Sequence, residues 1–418
     1  MINKLKPKSE FTRNVLTLMT GTTIAQAIPI AISPILTRLY TPEDFGVFAL
    51  FLSISGLFSI ISTGRYELVI MSPKSNKEAI NILVLSIIIS CIISIISFFI
   101  IFFLYDDILK FVNNKNIGKW LYFIPFTVFF VGLYQSLNFW FNRKKQYKIL
   151  ATNRVIQTGS NSAMSLLFGF NKFSFGLIWG YLFGFIISSI RLFLIFIKED
   201  NKLNKYINRN TMLKVLKKYK KMPIYNLPNA FIDGLRVSGI NILISQFFST
   251  AILGQFSMAF KMVQAPMGLI GGSISQVFFQ KVSVSNKQDL YNIALSLIKK
   301  ATLIALPIFL FIFIYAPYLF TFIFGEKWEL AGKITSILTP WLFLNFITSP
   351  LSTLFIVINK QNLLLIFSIF YMIIPLLIIY LFHDYEILSL FIILSFSMTI
   401  LLFIFIIMIL FLTKKLKG

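Results

Sequence analysis

The sequence predicts an all-α polytopic membrane protein of about twelve transmembrane helices, arranged as two six-helix bundles related by a pseudo-two-fold axis along the membrane normal. Three observations carry that expectation. Of 418 residues, 57% are hydrophobic and only 13% charged, too apolar for a chain that must present its surface to water. The apolar stretches repeatedly exceed about 18 residues, the length at which a spanning helix becomes the default reading. They are continuous runs of Ile, Leu and Phe without period-two alternation, which favours helices over a β-barrel.

In chain order the spans are expected at 14–36, 45–63, 80–104, 119–141, 150–170, 174–197, 223–248, 251–279, 291–315, 334–358, 362–382 and 387–412. Pro29 and Pro34 bend the first, which is tolerable where neighbours or water satisfy the freed carbonyls. That span is too long for a cleavable leader and lacks a small-residue cleavage site, so none is expected. Cys91, the single cysteine, lies within the third span and leaves no intramolecular disulfide to form. With one histidine, His383, and no paired Cys/His spacing, a structural zinc site is not expected either.

The longest loop, Lys198 to Met222, divides the chain into an N-terminal bundle (1–197), a basic cytoplasmic linker (198–222) and a C-terminal bundle (223–418). Met212, Val215, Leu216 and Tyr219 in the linker have the spacing of an amphipathic helix lying on the inner leaflet.

A net charge of +24 raises the question of nucleic acid. With the N-terminus placed inside, 29 of the 39 basic residues fall in cytoplasmic segments, seven outside and three within spans. That asymmetry places both termini in the cytoplasm and makes the charge excess topological. The lysine-rich loops face anionic membrane lipids, and nucleic acid is not an expected partner.

The halves also resemble each other. At an offset of 208, Leu39–Tyr40 falls on Phe247–Phe248, Phe45–Gly46 on Leu253–Gly254 and Phe48 on Phe256; after a two-residue slip, Ser75-Asn76-Lys77 matches Ser285-Asn286-Lys287. A six-span unit repeated in one orientation implies the pseudo-two-fold, with a substrate bound between the halves.

Three charges interrupt spans 7 and 8, which a tight turn joins at Ser249–Thr250: Asp233, Arg236 and Lys261. At 1.5 Å per residue Arg236 lies about 18 Å and Lys261 about 15 Å into the membrane, near the middle of a hydrocarbon core about 30 Å thick. Ions there cost about 2.5–3.5 kcal/mol each, so they are expected to face a wet cavity. Asp233 and Arg236, three apart, share a helix face and form either a structural bridge or part of a site. Asp233 is a candidate for ion coupling, although its neighbour Arg236 should hold it ionised. Lys261 has no evident acidic partner, and a cation at mid-depth suits an anionic substrate. Arg191 either snorkels from span 6 or faces the cavity near the headgroups. Arg65 and Glu67, after span 2, read as a cytoplasmic anchor or as a gate. Gln26, Gln135, Asn138, Gln157 and Asn161 either contact sugar hydroxyls or join helices to one another.

No catalytic constellation emerges. A Gly-rich phosphate loop is absent, so ATP is not an expected cofactor, nor is any other, and the chain is not expected to be an enzyme.

Arg38-Leu39-Tyr40-Thr41-Pro42-Glu43-Asp44-Phe45-Gly46, followed by Gly64-Arg65-Tyr66-Glu67 and Pro73, resembles the opening signature of bacterial polysaccharide-biosynthesis flippases, the O-antigen repeat-unit flippases of the multidrug/oligosaccharidyl-lipid/polysaccharide exporter superfamily. The resemblance continues at Gln135, Asn138-Phe139-Trp140, Arg143, Tyr147, Arg154 and Gln157. It returns at Pro223, Asn226, Pro228, Gly254, Phe256, Pro266, Gly271 and Ser275-Gln276-Val277-Phe278-Phe279, and covers essentially the first 280 residues. It implies translocation of an undecaprenyl-diphosphate-linked oligosaccharide from the inner to the outer leaflet of the bacterial cytoplasmic membrane by alternating access, for O-antigen or capsule, beside other polysaccharide-assembly membrane proteins. The family's basic position in span 8 falls on Lys261, whereas charges at Asp233 and Arg236 depart from the family pattern. The alternatives are an ion-coupled multidrug or small-solute exporter of the same superfamily, which would want acidic groups in its cavity, and a membrane-embedded enzyme, which would want larger loops than this chain has.

Overall fold

The computed structural model describes residues 10–416. Among them there is no strand, and twelve long helices run as α1 Glu10–Leu39, α2 Pro42–Ile61, α3 Asn76–Phe103, α4 Ile124–Arg143, α5 Tyr147–Phe170, α6 Gly176–Asp200, α7 Lys221–Phe247, α8 Thr250–Val284, α9 Leu290–Phe324, α10 Glu329–Leu351, α11 Gln361–Leu381 and α12 Ile387–Lys415. Each coincides with one predicted span. The largest departure is at the end of α9, where Pro317 is accommodated inside the helix and the Phe-rich sequence carries it on to Phe324. Between α6 and α7 a 3-10 turn, Asn201–Tyr206, leads into a linker helix, Arg209–Lys218.

Nine of the described helices are long and apolar enough to cross a membrane on composition alone. The other three, α5, α7 and α8, have 24, 27 and 35 residues and ample length. They fall short because of what they carry: Asn153, Arg154, Gln157 and Asn161 in α5, Asn226, Asn229, Asp233 and Arg236 in α7, Gln255, Lys261 and Gln264 in α8. Elsewhere the outward faces are plainly hydrocarbon-compatible. Ile92, Ile96, Phe99 and Phe103 form one exposed stripe on α3, and Leu303, Leu306, Leu310 and Phe313 another on α9.

The chain forms two compact units, Met1–Tyr40 with Val47–Gly234, and Thr41–Gly46 with Leu235–Gly418. In the first, α3 packs on α4, α4 on α6, α5 on α6 and α1 on α5. Its buried cluster gathers Tyr66, Ile80, Leu83, Leu137, Trp140, Phe141 and Leu192. Along α6 the spacing Gly176, Gly180, Gly184 lets the helix approach neighbouring groups closely. A Cβ at Gly180 would stand 2.0 Å from the Ser165 hydroxyl, and one at Gly184 2.8 Å from the Gln157 carbonyl. In the second unit three of these four pairings recur six helices on, as α9 on α10, α10 on α12 and α11 on α12.

The repeat is also visible in one contact. Thr41 and Ser249, equivalent at the offset of 208, cap α2 and α8: the Thr41 hydroxyl accepts from the Asp44 amide at 3.2 Å and the Ser249 hydroxyl from the Ile252 amide at 3.1 Å. A Cβ on Gly46 would lie 1.8 Å from the carbonyl oxygen of Thr250, and a Cβ on Gly254 1.8 Å from that of Pro42. Since Pro42 is the equivalent of Thr250 and Gly46 of Gly254, the contact is its own image. Such reciprocity is the mark of a two-fold relation, here between the first turns of α2 and α8.

Candidate functional site

In the second unit, four helices place cations and aromatic rings together. Lys261 stands eleven residues past the start of α8, about 16 Å along it, with its side chain exposed. Its neighbour Phe260 is half-buried and packs on Trp341 of α10, ring centroids 5.9 Å apart, and on Phe256 at 5.8 Å. The Trp341 indole is buried and its N–H donates to the Tyr371 hydroxyl of α11 at 2.8 Å. That bond fixes the Tyr371 ring, over which the Arg236 guanidinium of α7 sits 4.8 Å from the centroid. The aromatic face and the guanidinium attract each other through the ring quadrupole, which helps to hold the Arg236 head group in place. Phe367 stacks on the same tyrosine at 5.7 Å. Asp233 is exposed on α7, three residues before Arg236, and belongs to the first unit.

The first unit holds a second polar cluster. Arg154 of α5 donates to the Thr22 hydroxyl of α1 at 2.6 Å. Gln26 lies one turn beyond Thr22, half-buried, and its side-chain oxygen is buried without a donor. Gln135, Asn138, Gln157 and Asn161 are all half-buried; of these, Asn161 accepts from the Ser165 hydroxyl at 3.3 Å. The count of basic residues by side places Arg154 with the cytoplasmic loop, although the span expected at 150–170 already includes it. The helix begins at Tyr147, so Arg154 is two turns inside it. Its place among the family-like positions was the available signal.

Arg191 donates to Asn153 at 3.0 Å and Thr152 at 3.2 Å, which tie α6 to α5. It lies in a shallow groove otherwise made by Ile187, Ile190, Leu194 and Ile195. Arg65 and Glu67 pair at 3.6 Å; Glu67 is buried and also accepts from the Thr63 hydroxyl. Arg65 itself has left-handed backbone geometry, φ 62°, as the chain turns from α2 into the 3-10 segment Tyr66–Met71. Another residue holds this segment. Arg143, at the end of α4, donates to the carbonyls of Ile70 at 3.2 Å, Met71 at 3.4 Å and Lys74 at 3.4 Å, and to the Asn76 side chain at 3.2 Å. Among the described residues no three His, Cys, Asp or Glu side chains come together as metal ligands.

A family model described as "Polysaccharide biosynthesis protein" matches residues 35–332. The chain belongs to that family. The match spans the signature at Arg38–Gly46, Arg154, Arg236 and Lys261, begins after Thr22 and Gln26, and ends short of Trp341 and Tyr371. Solved structures share the fold over nearly the whole length. An inward-facing multidrug resistance MATE family transporter of the MOP superfamily is 16% identical with a TM-score of 0.74, over 96% of this chain and 95% of that one. The lipid II flippase MurJ in an inward closed conformation is 15% identical with a TM-score of 0.70, over 93% and 89%. A MOP superfamily transporter from Pyrococcus furiosus, reported for the reverse polarity of its binding pocket, is 16% identical with a TM-score of 0.60, over 97% and 96%. No curated protein matches the sequence significantly.

Proposed function

We propose that the protein is a flippase carrying an undecaprenyl-diphosphate-linked oligosaccharide from the inner to the outer leaflet of the bacterial cytoplasmic membrane by alternating access, for surface polysaccharide assembly. Both termini are cytoplasmic in this reading, and bundles 1–197 and 223–418 flank the linker 198–222. Family membership and a fold shared with MATE transporters and the MurJ flippase support it.

The observation that carries it is the Arg236–Tyr371–Trp341–Phe260 network with Lys261 exposed beside it. Two cations suit the diphosphate, replacing hydration lost at mid-membrane depth. Held aromatic rings suit the apolar faces of sugars. Lys261→Ala and Lys261→Gln are expected to abolish surface glycan at normal protein abundance, and Lys261→Arg to retain part of it because charge persists while donor geometry changes. Wild-type glycan output from both the Ala and Gln variants would sink the assignment. Efflux of a cationic dye dependent on Asp233 but indifferent to Lys261 would favour the exporter reading instead.

A further inference from the structure

The first unit contains a cavity of about 630 Å³ that the transport reading does not use. One wall is the start of α3; the other is the 3-10 turn and the linker helix. Asn81 holds the walls together. Fully buried, it donates to the Tyr206 carbonyl at 2.9 Å and accepts from the Asn208 amide at 2.9 Å. The linker helix docks its apolar side here, with Val215 buried, while the Tyr66 hydroxyl donates to the Leu216 carbonyl at 3.0 Å.

Four lysines and one glutamate line the cavity, a net of three positive charges. Glu78 is engaged by Lys218 at 2.6 Å, and this bond holds the Lys218 ammonium above the usual lysine value. Lys77, Lys205 and Lys214 form no ion pair among the described residues. The Lys77 and Lys205 ammonium groups both lie over the Tyr206 ring, 4.6 and 5.2 Å from its centroid. Two cations gathered on one ring repel each other, and the one carboxylate that lines the cavity, Glu78, is paired with Lys218 instead. The amino termini of α3 and the linker helix, capped by Ser75 and Asn208, open into the same space. Thr211 adds a hydroxyl.

We infer that this cavity binds a phosphate group, held by Lys77, Lys205 and Lys214 between α3 and the linker helix. Three ammonium groups with a hydroxyl suit a tetrahedral anion with several acceptor oxygens better than a single planar carboxylate. The group is supplied either by the headgroup of an anionic phospholipid or by a soluble phosphate. Its binding bridges the two walls and holds the linker on the first unit.

The test uses delipidated full-length protein in neutral micelles, with thermal unfolding as the readout. Phosphatidylglycerol is titrated against phosphatidylcholine in one arm, and inorganic pyrophosphate against sodium chloride of equal ionic strength in the other. Stabilisation by phosphatidylglycerol assigns the site to lipid; stabilisation by pyrophosphate alone assigns it to a soluble phosphate. The triple variant Lys77→Gln, Lys205→Gln, Lys214→Gln is expected to raise the half-saturating concentration about 100-fold, and the corresponding triple arginine variant to retain binding. A fluorophore on Thr211→Cys, in a Cys91→Ser background, reports occupancy directly should the triple variant not fold. No response to either anion in wild type, by unfolding or by fluorescence, overturns the inference, as does a Gln triple variant that responds like wild type.

Discussion

Gly46→Ala and Gly254→Ala test the reciprocal crossing of α2 and α8. Ordinary contact begins at 3.4 Å and each added Cβ would start at 1.8 Å, so the helices must part by the difference, 1.6 Å. The opposing atoms are backbone carbonyl oxygens and cannot rotate aside as a side-chain tip would. Each substitution is therefore expected to cost about 3 kcal/mol, the upper part of the range for overpacking. Because the two clashes are images of each other, one opening of 1.6 Å relieves both. The double variant should then lose about 3–4 kcal/mol, leaving a coupling of about 2 kcal/mol, far from additivity. Gly56→Ala and Gly159→Ala, where nothing lies within 4 Å, serve as controls; they should be stabilised by about 0.5–1 kcal/mol through helix propensity. Unfolding in mixed micelles of rising dodecyl sulfate fraction gives all five values. Trp328, whose ring meets Phe45 edge-on at 4.9 Å, gives a local signal beside the crossing. Additive losses at the two glycines, or a Gly46→Ala variant indistinguishable from Gly56→Ala, would refute the reasoning.

Arg143→Lys should lower stability by about 1–2 kcal/mol and expose residues 70–76 to protease, since an ammonium cannot span four acceptors as the guanidinium fork does; the same unfolding series and limited proteolysis check it. Asp200, buried and accepting from the Trp140 indole at 2.9 Å while paired with Lys144, is expected to cost about 2 kcal/mol on Asp200→Leu, with less loss when Lys144→Met is added. Tyr371→Phe should keep most transport because the ring beneath Arg236 survives, whereas Tyr371→Leu should lose it, judged by surface glycan at equal abundance. Tyr40→Phe removes a 2.6 Å bond to the Ser165 carbonyl and should cost about 1 kcal/mol in the unfolding series.

The helices were legible because a membrane span needs only local information: a run of apolar residues long enough for hydrocarbon. The repeat was legible because Phe45–Gly46 and Leu253–Gly254 keep an apolar residue followed by glycine at one constant offset. What those glycines do was not, since nothing in a sequence offset says that the two copies touch. The same holds for Arg143 and for Asp200, whose partners lie 67 to 73 and 56 to 60 residues away respectively. Arg154 was counted with the loop lysines although it lies four residues inside the expected span, because a cation near a span's inner end looks the same in sequence whether it faces the headgroups or another helix.

The most informative residues were those that weakened the membrane signal. A charged group at the centre of a span costs about 2.5–3.5 kcal/mol, so α7, with Asp233 and Arg236, carries roughly 5–7 kcal/mol of unfavourable transfer before any contact forms. A helix with no task beyond spanning has no reason to retain that burden; any of Leu, Ile or Phe would remove it. The Arg236 guanidinium over the Tyr371 ring offsets about 2 kcal/mol of it where the pair is well desolvated. A like transfer cost recurs in α5 and α8 at Arg154 and Lys261. Of the three helices too polar to pass as spans on composition alone, α7 and α8 carry Arg236 and Lys261 of the second unit's cluster, and α5 carries Arg154 of the first unit's, so the polar positions that cost most in hydrocarbon are those gathered with other polar or aromatic side chains.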